Sequence, residues 1–224
     1  MSASKSRQIT TAHIAPFIAF IGIMAIEKSL SVPPQYAYPI RLGIVSAMVL
    51  IFSRNCLKQR PSQPLAAIGM GLAVFAIWIG PDLISDYRQS FLFNNSVTGR
   101  AVSSIPIELR RQIWFVLIRT CSLTVLVPII EELFWRAWMM RWLIDHRFWT
   151  VPLGKYTPAA FWTVAVLFAS EHGPYWDVGL IAGVMYNWWM VRTRNLGDCI
   201  LVHAVTNGAL LVYVLQTGRW EYLS

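Results

Sequence analysis

The chain has 224 residues, 56% of them apolar and only 13% charged, against about 25% charged in an average soluble domain. A mean hydropathy of +0.49, with 11 Trp and 8 Tyr for interfacial belts, excludes an ordinary soluble fold and predicts an all-α, polytopic transmembrane helical bundle forming a single domain over residues 1–224. The formal charge of +8 does not mark a nucleic-acid binder, because the cations fall mainly between apolar segments, and three scattered cysteines, Cys56, Cys121 and Cys199, exclude a disulfide framework and read as small apolar fillers.

Residues 1–11 are short, polar and basic, with Lys5 and Arg7. The apolar run Ile14–Ile26 ends at Glu27-Lys28 without a small-residue cleavage site, so residues 12–30 read as a retained first span rather than a signal peptide. Val32-Pro33-Pro34 is a turn. Residues 38–53 form a second span, Pro61 and Pro64 bracket a tight connection, and residues 65–80 form a third. From Pro81 to Arg111 lies the one long polar stretch, whose shape the sequence leaves open. It completes a first part, residues 12–112, made of three spans and an outer loop. The second part, residues 113–216, holds the chemistry.

The run Ile113–Ile144 is longer than the roughly 20 residues one crossing needs. Pro128 sits inside it and removes a backbone hydrogen bond, which predicts a bent element broken just before Glu131. Asp145–Lys155 connects to Pro158–Ser170, which closes with Glu171-His172-Gly173-Pro174 and is followed by Trp176–Val191. At about 15 residues each, or about 22 Å of helix, these two runs are shorter than a typical 30 Å hydrocarbon core. Their joining turn is therefore expected below the surface, lining a cavity. The last span runs from Asp198 to Gln216. The total is seven spans, or eight if the kinked run is two short helices. With the N-terminus inside, inner segments carry ten Lys and Arg and the short outer segments only Lys28, Arg41 and Arg219. This is a positive-inside bias that places the N-terminus in the cytoplasm.

Charged groups at bilayer depth are costly and usually face a partner or a wet cavity. Glu131, Glu132 and Arg136 lie in such a run. Glu132 and Arg136 are four apart with the acid first, the favourable order for an ion pair on one helix face. Glu131 is turned about 100° away and stays available. By helix rise, Glu131 lies about 15 Å in from Arg141, His203 about 13 Å in from Arg194, and His172 about 21 Å in from Pro158. These depths let Glu131, His172, His203 and Asn207 meet. His203 and Asn207 share a face, as do Phe168 and His172. An imidazole beside an amide can hold a developing oxyanion, and a glutamate with a second histidine can polarise a water. The same donors, Glu131, His172 and His203, are also a zinc set.

Each residue also has a bland reading. Glu132 and Arg136 pair structurally, His172 caps a helix end, His203 and Asn207 act as polar glue, and Phe168 packs. His13 and His146 sit at interfaces, Asp177 and Asp198 at solvated span ends, and Glu171 either accepts a proton from His172 or points to a headgroup. Two other functions remain in view: a proton-coupled transporter or channel, and a non-catalytic scaffold. The confinement of polar groups to the second half argues against an inverted-repeat transporter.

Glu131-Glu132-x-x-x-Arg136, Phe168-x-x-x-His172 and His203-x-x-x-Asn207 together resemble the three motifs of the CPBP or Abi membrane proteases, which include the type II CAAX prenyl endopeptidases. The resemblance covers about residues 113–216, and the chain is also similar to the CAAX-protease-related proteins that accompany exosortase systems. Ala137 stands where many members have glycine. The resemblance implies an intramembrane endopeptidase in which Glu131 and His172 activate water, His203 and Asn207 stabilise the oxyanion, and Glu132 and Arg136 hold the motif helix. It implies membrane lipids and a membrane-embedded or lipidated protein substrate as partners. Neither histidine pair has the tight H-x-x-x-H spacing, so the expected cofactor is none, with zinc the disfavoured alternative. The expected location is a bacterial inner membrane.

Overall fold

The computed structural model describes residues 3–223. No β-strand occurs among them beyond an isolated bridge between Asn95 and Gly99. Seven long helices form the bundle: α1 (Ala3–Ser29), α2 (Pro34–Ser53), α3 (Pro64–Ile84), α4 (Ile113–Trp142), α5 (Pro158–Ser170), α6 (Trp176–Thr193) and α7 (Leu196–Thr217). Five of them, α1 to α4 and α7, are long and apolar enough to cross a membrane. α5 has only 13 residues, and α6 has 18 but carries Asp177 and Arg192 at its ends. The chain is an integral membrane protein, and large apolar side chains such as Leu50, Ile51 and Leu65 point outward, at 67%, 68% and 84% exposure.

Local sequence sets the helix ends. Pro34, Pro64 and Pro158 stand in the first turns of α2, α3 and α5, where a missing N–H costs nothing. The Thr157 hydroxyl accepts from the Ala160 amide (3.3 Å), and the Asn195 side chain accepts from the Asp198 amide (3.1 Å), each satisfying an orphan donor. α7 ends at Gly218 in the left-handed region, at φ 73°, a conformation glycine reaches without a Cβ penalty.

Packing joins the two parts. α3 lies along α7, α5 along α6, and α1 against α2 and the middle of α4. The α3–α7 approach depends on Gly71, because a Cβ there would stand 2.7 Å from the Val202 carbonyl and from the Val205 side chain. Buried residues from Phe17 in α1 to Leu223 form one contiguous cluster.

Two expectations change, and one open question is answered. α4 is not broken before Glu131. Helical structure runs unbroken through Pro128, and the strain is taken up by two wide π-type sections, Ser122–Leu126 and Leu133–Met139, on either side of the carboxylates. Residues 81–111, whose shape the sequence leaves open, are a tethered stretch with little regular structure. α3 continues to Ile84, and Arg88, 8% exposed, ties the stretch down by donating to Asp82, to Asp177 (2.8 Å) and to the Pro174 carbonyl (2.6 Å). Asp177 and Asp198 are not solvated span ends. Asp177 accepts from Tyr87 (2.5 Å) as well as Arg88. Asp198 is fully buried, accepting from the Ser62 hydroxyl (2.5 Å) and the Gln63 amide (3.0 Å), which pins the α2–α3 connection to the start of α7. Beyond Gly218, a 3-10 turn at Trp220–Leu223 folds back over the bundle, with Tyr222 donating to Asp82 (2.9 Å).

Candidate active site

Glu132 and Arg136 are both completely buried and pair at 3.1 Å, one helical turn apart. Part of the rest of the guanidinium is held by its surroundings, while Nη2 is buried without a hydrogen-bond partner. Nε donates to the Asn187 side-chain oxygen (3.1 Å), and the cation lies over the rings of Phe168 (4.5 Å) and Tyr186 (5.2 Å). Asn187 in turn donates to the Phe161 carbonyl (2.8 Å), so α4, α5 and α6 are locked around this cation. Ala137, next in sequence, is 1% exposed, consistent with a position where only a small side chain fits.

The same glutamate oxygen that meets Arg136 lies 3.0 Å from His203 Nδ1. His203 Nε2 then faces Glu131, 4.0 Å from its Oε2. That oxygen is buried and has no hydrogen-bond partner. A gap of this size between two polar atoms is one that a single water can bridge. The His203 ring is fixed further by stacking on Tyr186, at 5.0 Å and 28° between planes.

His172 sits in the turn after α5. Its Nδ1 lies 2.8 Å from the Phe168 carbonyl. As a donor there, Nδ1 carries the proton of a neutral ring and Nε2 is left as an acceptor. Phe168 packs at 4.7 Å on this ring and at 6.2 Å from His203, and Trp78 of α3 closes the other side of His172 at 5.2 Å. Phe168 is therefore the wall between the two histidines as well as a cover for Arg136. Glu171 does not hydrogen-bond to His172; it accepts from the Trp135 indole at 3.2 Å.

Asn207 donates to the Leu123 carbonyl at 3.0 Å. In the wide register of Ser122–Leu126, that carbonyl would accept from residue 128, and residue 128 is a proline without an N–H. Asn207 supplies the missing donor and keeps its second amide hydrogen. Glu131, His172, His203 and Asn207 all line one cavity of about 330 Å³. The sequence places these four together correctly, but it misses Trp78, Tyr186 and Asn187, whose signals are single aromatic or amide residues in apolar helices. It also misses Arg41 and Arg119, two further cavity-lining arginines.

Among the described residues, no three His, Cys, Asp or Glu side chains are disposed to hold a metal ion. His203 and His172 each spend Nδ1 on a protein acceptor.

No curated protein and no solved structure matches the chain. The family model described as type II CAAX prenyl endopeptidase Rce1-like matches residues 110–209. That stretch contains all three motifs and the four residues that converge on the cavity, and over it the chain is similar to the Rce1-like type II CAAX prenyl endopeptidases.

Proposed function

We propose that the protein is an intramembrane endopeptidase that hydrolyses a peptide bond in a membrane-embedded or lipidated protein, using a water activated by its own side chains. The observation that carries this reading is the partnerless, buried oxygen of Glu131, 4.0 Å from His203 Nε2 and on the wall of the cavity. Glu131 accepts a proton from the water as its oxygen attacks the carbonyl carbon. His172, with Nε2 free as an acceptor, holds that water in line. The negative charge that develops on the carbonyl oxygen is met by His203, as an imidazolium donating through Nε2, and by the free amide hydrogen of Asn207. Glu131 then passes its proton to the leaving nitrogen, and the bond between carbonyl carbon and nitrogen breaks to give an acid and an amine.

Glu132 both holds Arg136 and orients His203. The step needs no metal ion. The single domain, the cytoplasmic N-terminus and the bacterial inner membrane belong to the same proposal, supported by the positive-inside distribution of Lys and Arg.

The test compares protein termini in membranes of cells carrying the wild-type chain or Glu131→Gln at matched abundance, read by mass spectrometry. New termini that require Glu131 are expected, and they name the substrate. Identical termini with both folded proteins would overturn the reading.

A further inference from the structure

The cavity has a second polar end that the hydrolytic step does not use. Arg119, in the second turn of α4, is 6% exposed, and it lines the same cavity as Glu131, His203 and Asn207. No carboxylate among the described residues pairs with it. Its guanidinium donates to the Leu223 carbonyl and lies 4.6 Å from the centre of the Tyr38 ring, and its Nε is buried without a hydrogen-bond partner. Arg41 lies 4.8 Å from the same ring and also lines the cavity. Arg41 does have an acid, Glu27, at 3.2 Å. Among the described residues, two guanidiniums and one carboxylate stand at this end, one positive charge in excess.

An uncompensated cation inside a membrane span is retained at a cost and points to a ligand or a wet path. The bland alternative is that Arg119 only pins the Trp220–Leu223 turn. That contact uses one of five N–H donors and supplies a neutral oxygen, so it leaves the charge unmatched. The rigid fork of a guanidinium suits a carboxylate. The oxygen now on it is the peptide oxygen of Leu223, from the protein's own Trp220–Leu223 turn.

We infer that Arg119, with Arg41 beside it, receives one carboxylate of the peptide substrate that fills the cavity. The inference rests on the protease reading, and it makes Arg119 a specificity determinant rather than part of the hydrolytic machinery.

Binding tests it without turnover. Full-length Glu131→Gln protein in nanodiscs of zwitterionic lipid is titrated with fluorescent apolar peptides. Each carries a single carboxylate, as a glutamate side chain or as the chain end, and is paired with its amide counterpart. At least one acid is expected to bind about tenfold or more tightly than its amide, the size of one charge-assisted contact. Adding Arg119→Gln should erase that preference while leaving amide binding intact, and Arg119→Lys should keep part of it. Equal binding of every acid and amide pair overturns the inference, even if Arg119→Gln does not fold. So does a preference that survives Arg119→Gln. A preference that vanishes when phosphatidylglycerol is included assigns the arginines to a lipid phosphate and also overturns it. Because the protein titrated cannot cleave, a failure here leaves the cellular terminus comparison untouched, and the reverse holds too.

Discussion

Glu132 Oε1 lies 3.1 Å from Arg136 and 3.0 Å from His203 Nδ1, so one carboxylate oxygen joins α4 to α7 at the centre of the bundle. The pairing of Glu132 with Arg136 follows from their spacing. Its second partner does not, because His203 is 71 residues away. This shared oxygen makes Glu132 a positioning residue as well as a structural one, and its removal should be felt in both stability and activity.

Glu132→Gln leaves Arg136, which has no exposed surface, without its counter-charge. Breaking a buried pair by removing one partner costs about 3–5 kcal/mol. The variant should unfold at markedly lower denaturant in detergent. Glu132→Gln combined with Arg136→Met removes both charges and should recover much of the loss, since apolar replacement of a whole buried pair is often close to neutral. The double variant should still be inactive, because His203 has lost the carboxylate that orients it. A double variant no more stable than Glu132→Gln alone would mean that the pair is not the source of the cost.

Glu131→Gln changes charge and proton affinity but not shape. Its Oε2 makes no hydrogen bond that folding depends on, so the variant should lose less stability than Glu132→Gln, which strips a fully buried guanidinium of its partner. Cleavage should fall by about 10²–10⁴-fold, the usual contribution of a general base. Parallel measurements of unfolding and of terminus formation separate the two effects. Full activity in Glu131→Gln would remove it from the mechanism.

Much of the site was legible in the sequence because helix periodicity fixes which residues share a face, and helix rise fixes their depth. Helix rise brought Glu131, His172 and His203 to comparable depths, and the i, i+4 spacings of Glu132 with Arg136, Phe168 with His172 and His203 with Asn207 set which residues share a face. What was not legible depends on partners distant in sequence. Asp198 looks solvated until Ser62 and Gln63, 136 and 135 residues away, fold onto it. Arg119 is hidden in an apolar run that reads as membrane whatever one arginine contributes. The break expected at Pro128 did not form because a lost ladder bond has more than one remedy. The helix widened and borrowed a donor from α7.

Gly71 sets the α3–α7 approach, and Thr206 Oγ1 of α7 donates to the Gly71 carbonyl at 3.1 Å. Gly71→Val would place side-chain atoms where backbone and Val205 already stand, 2.7 Å from a Cβ. Overpacking of this kind costs about 1–3 kcal/mol. Because His203 and Asn207 ride on α7, cleavage should fall as well, although residue 71 makes no chemical contribution. The check is a lower melting temperature together with reduced turnover; unchanged values for both would show that the helices separate freely.

Chelation supplies a separate check on the water-only mechanism. Both histidines commit Nδ1 to protein acceptors, which leaves Nε2 of each open to a water or a ligand, and among the described residues no three His, Cys, Asp or Glu side chains are disposed to hold a metal ion. Prolonged dialysis against a strong zinc chelator should leave cleavage unchanged, and the purified active protein should contain far less than one zinc per chain by elemental analysis. Loss of activity on chelation that zinc alone restores would move Glu131, His172 and His203 from water activation to metal ligation.

Asn207 carries two duties that a paired substitution can separate. Asn207→Ala removes an oxyanion donor and also leaves the Leu123 carbonyl without its 3.0 Å partner. An unsatisfied group of this kind costs about 1–3 kcal/mol. Pro128→Ala restores an N–H at the position from which the helix ladder would satisfy that carbonyl. In the Asn207→Ala background, Pro128→Ala should therefore raise the unfolding midpoint back towards wild type, while cleavage stays low because the donor facing the substrate is still missing. Pro128→Ala alone should gain little stability, since Asn207 already fills the vacancy. If Pro128→Ala gives the Asn207→Ala protein no more stability than it gives the wild type, the two residues are not coupled through Leu123, and the wide turn beside Glu131 must be held by something other than the motif asparagine.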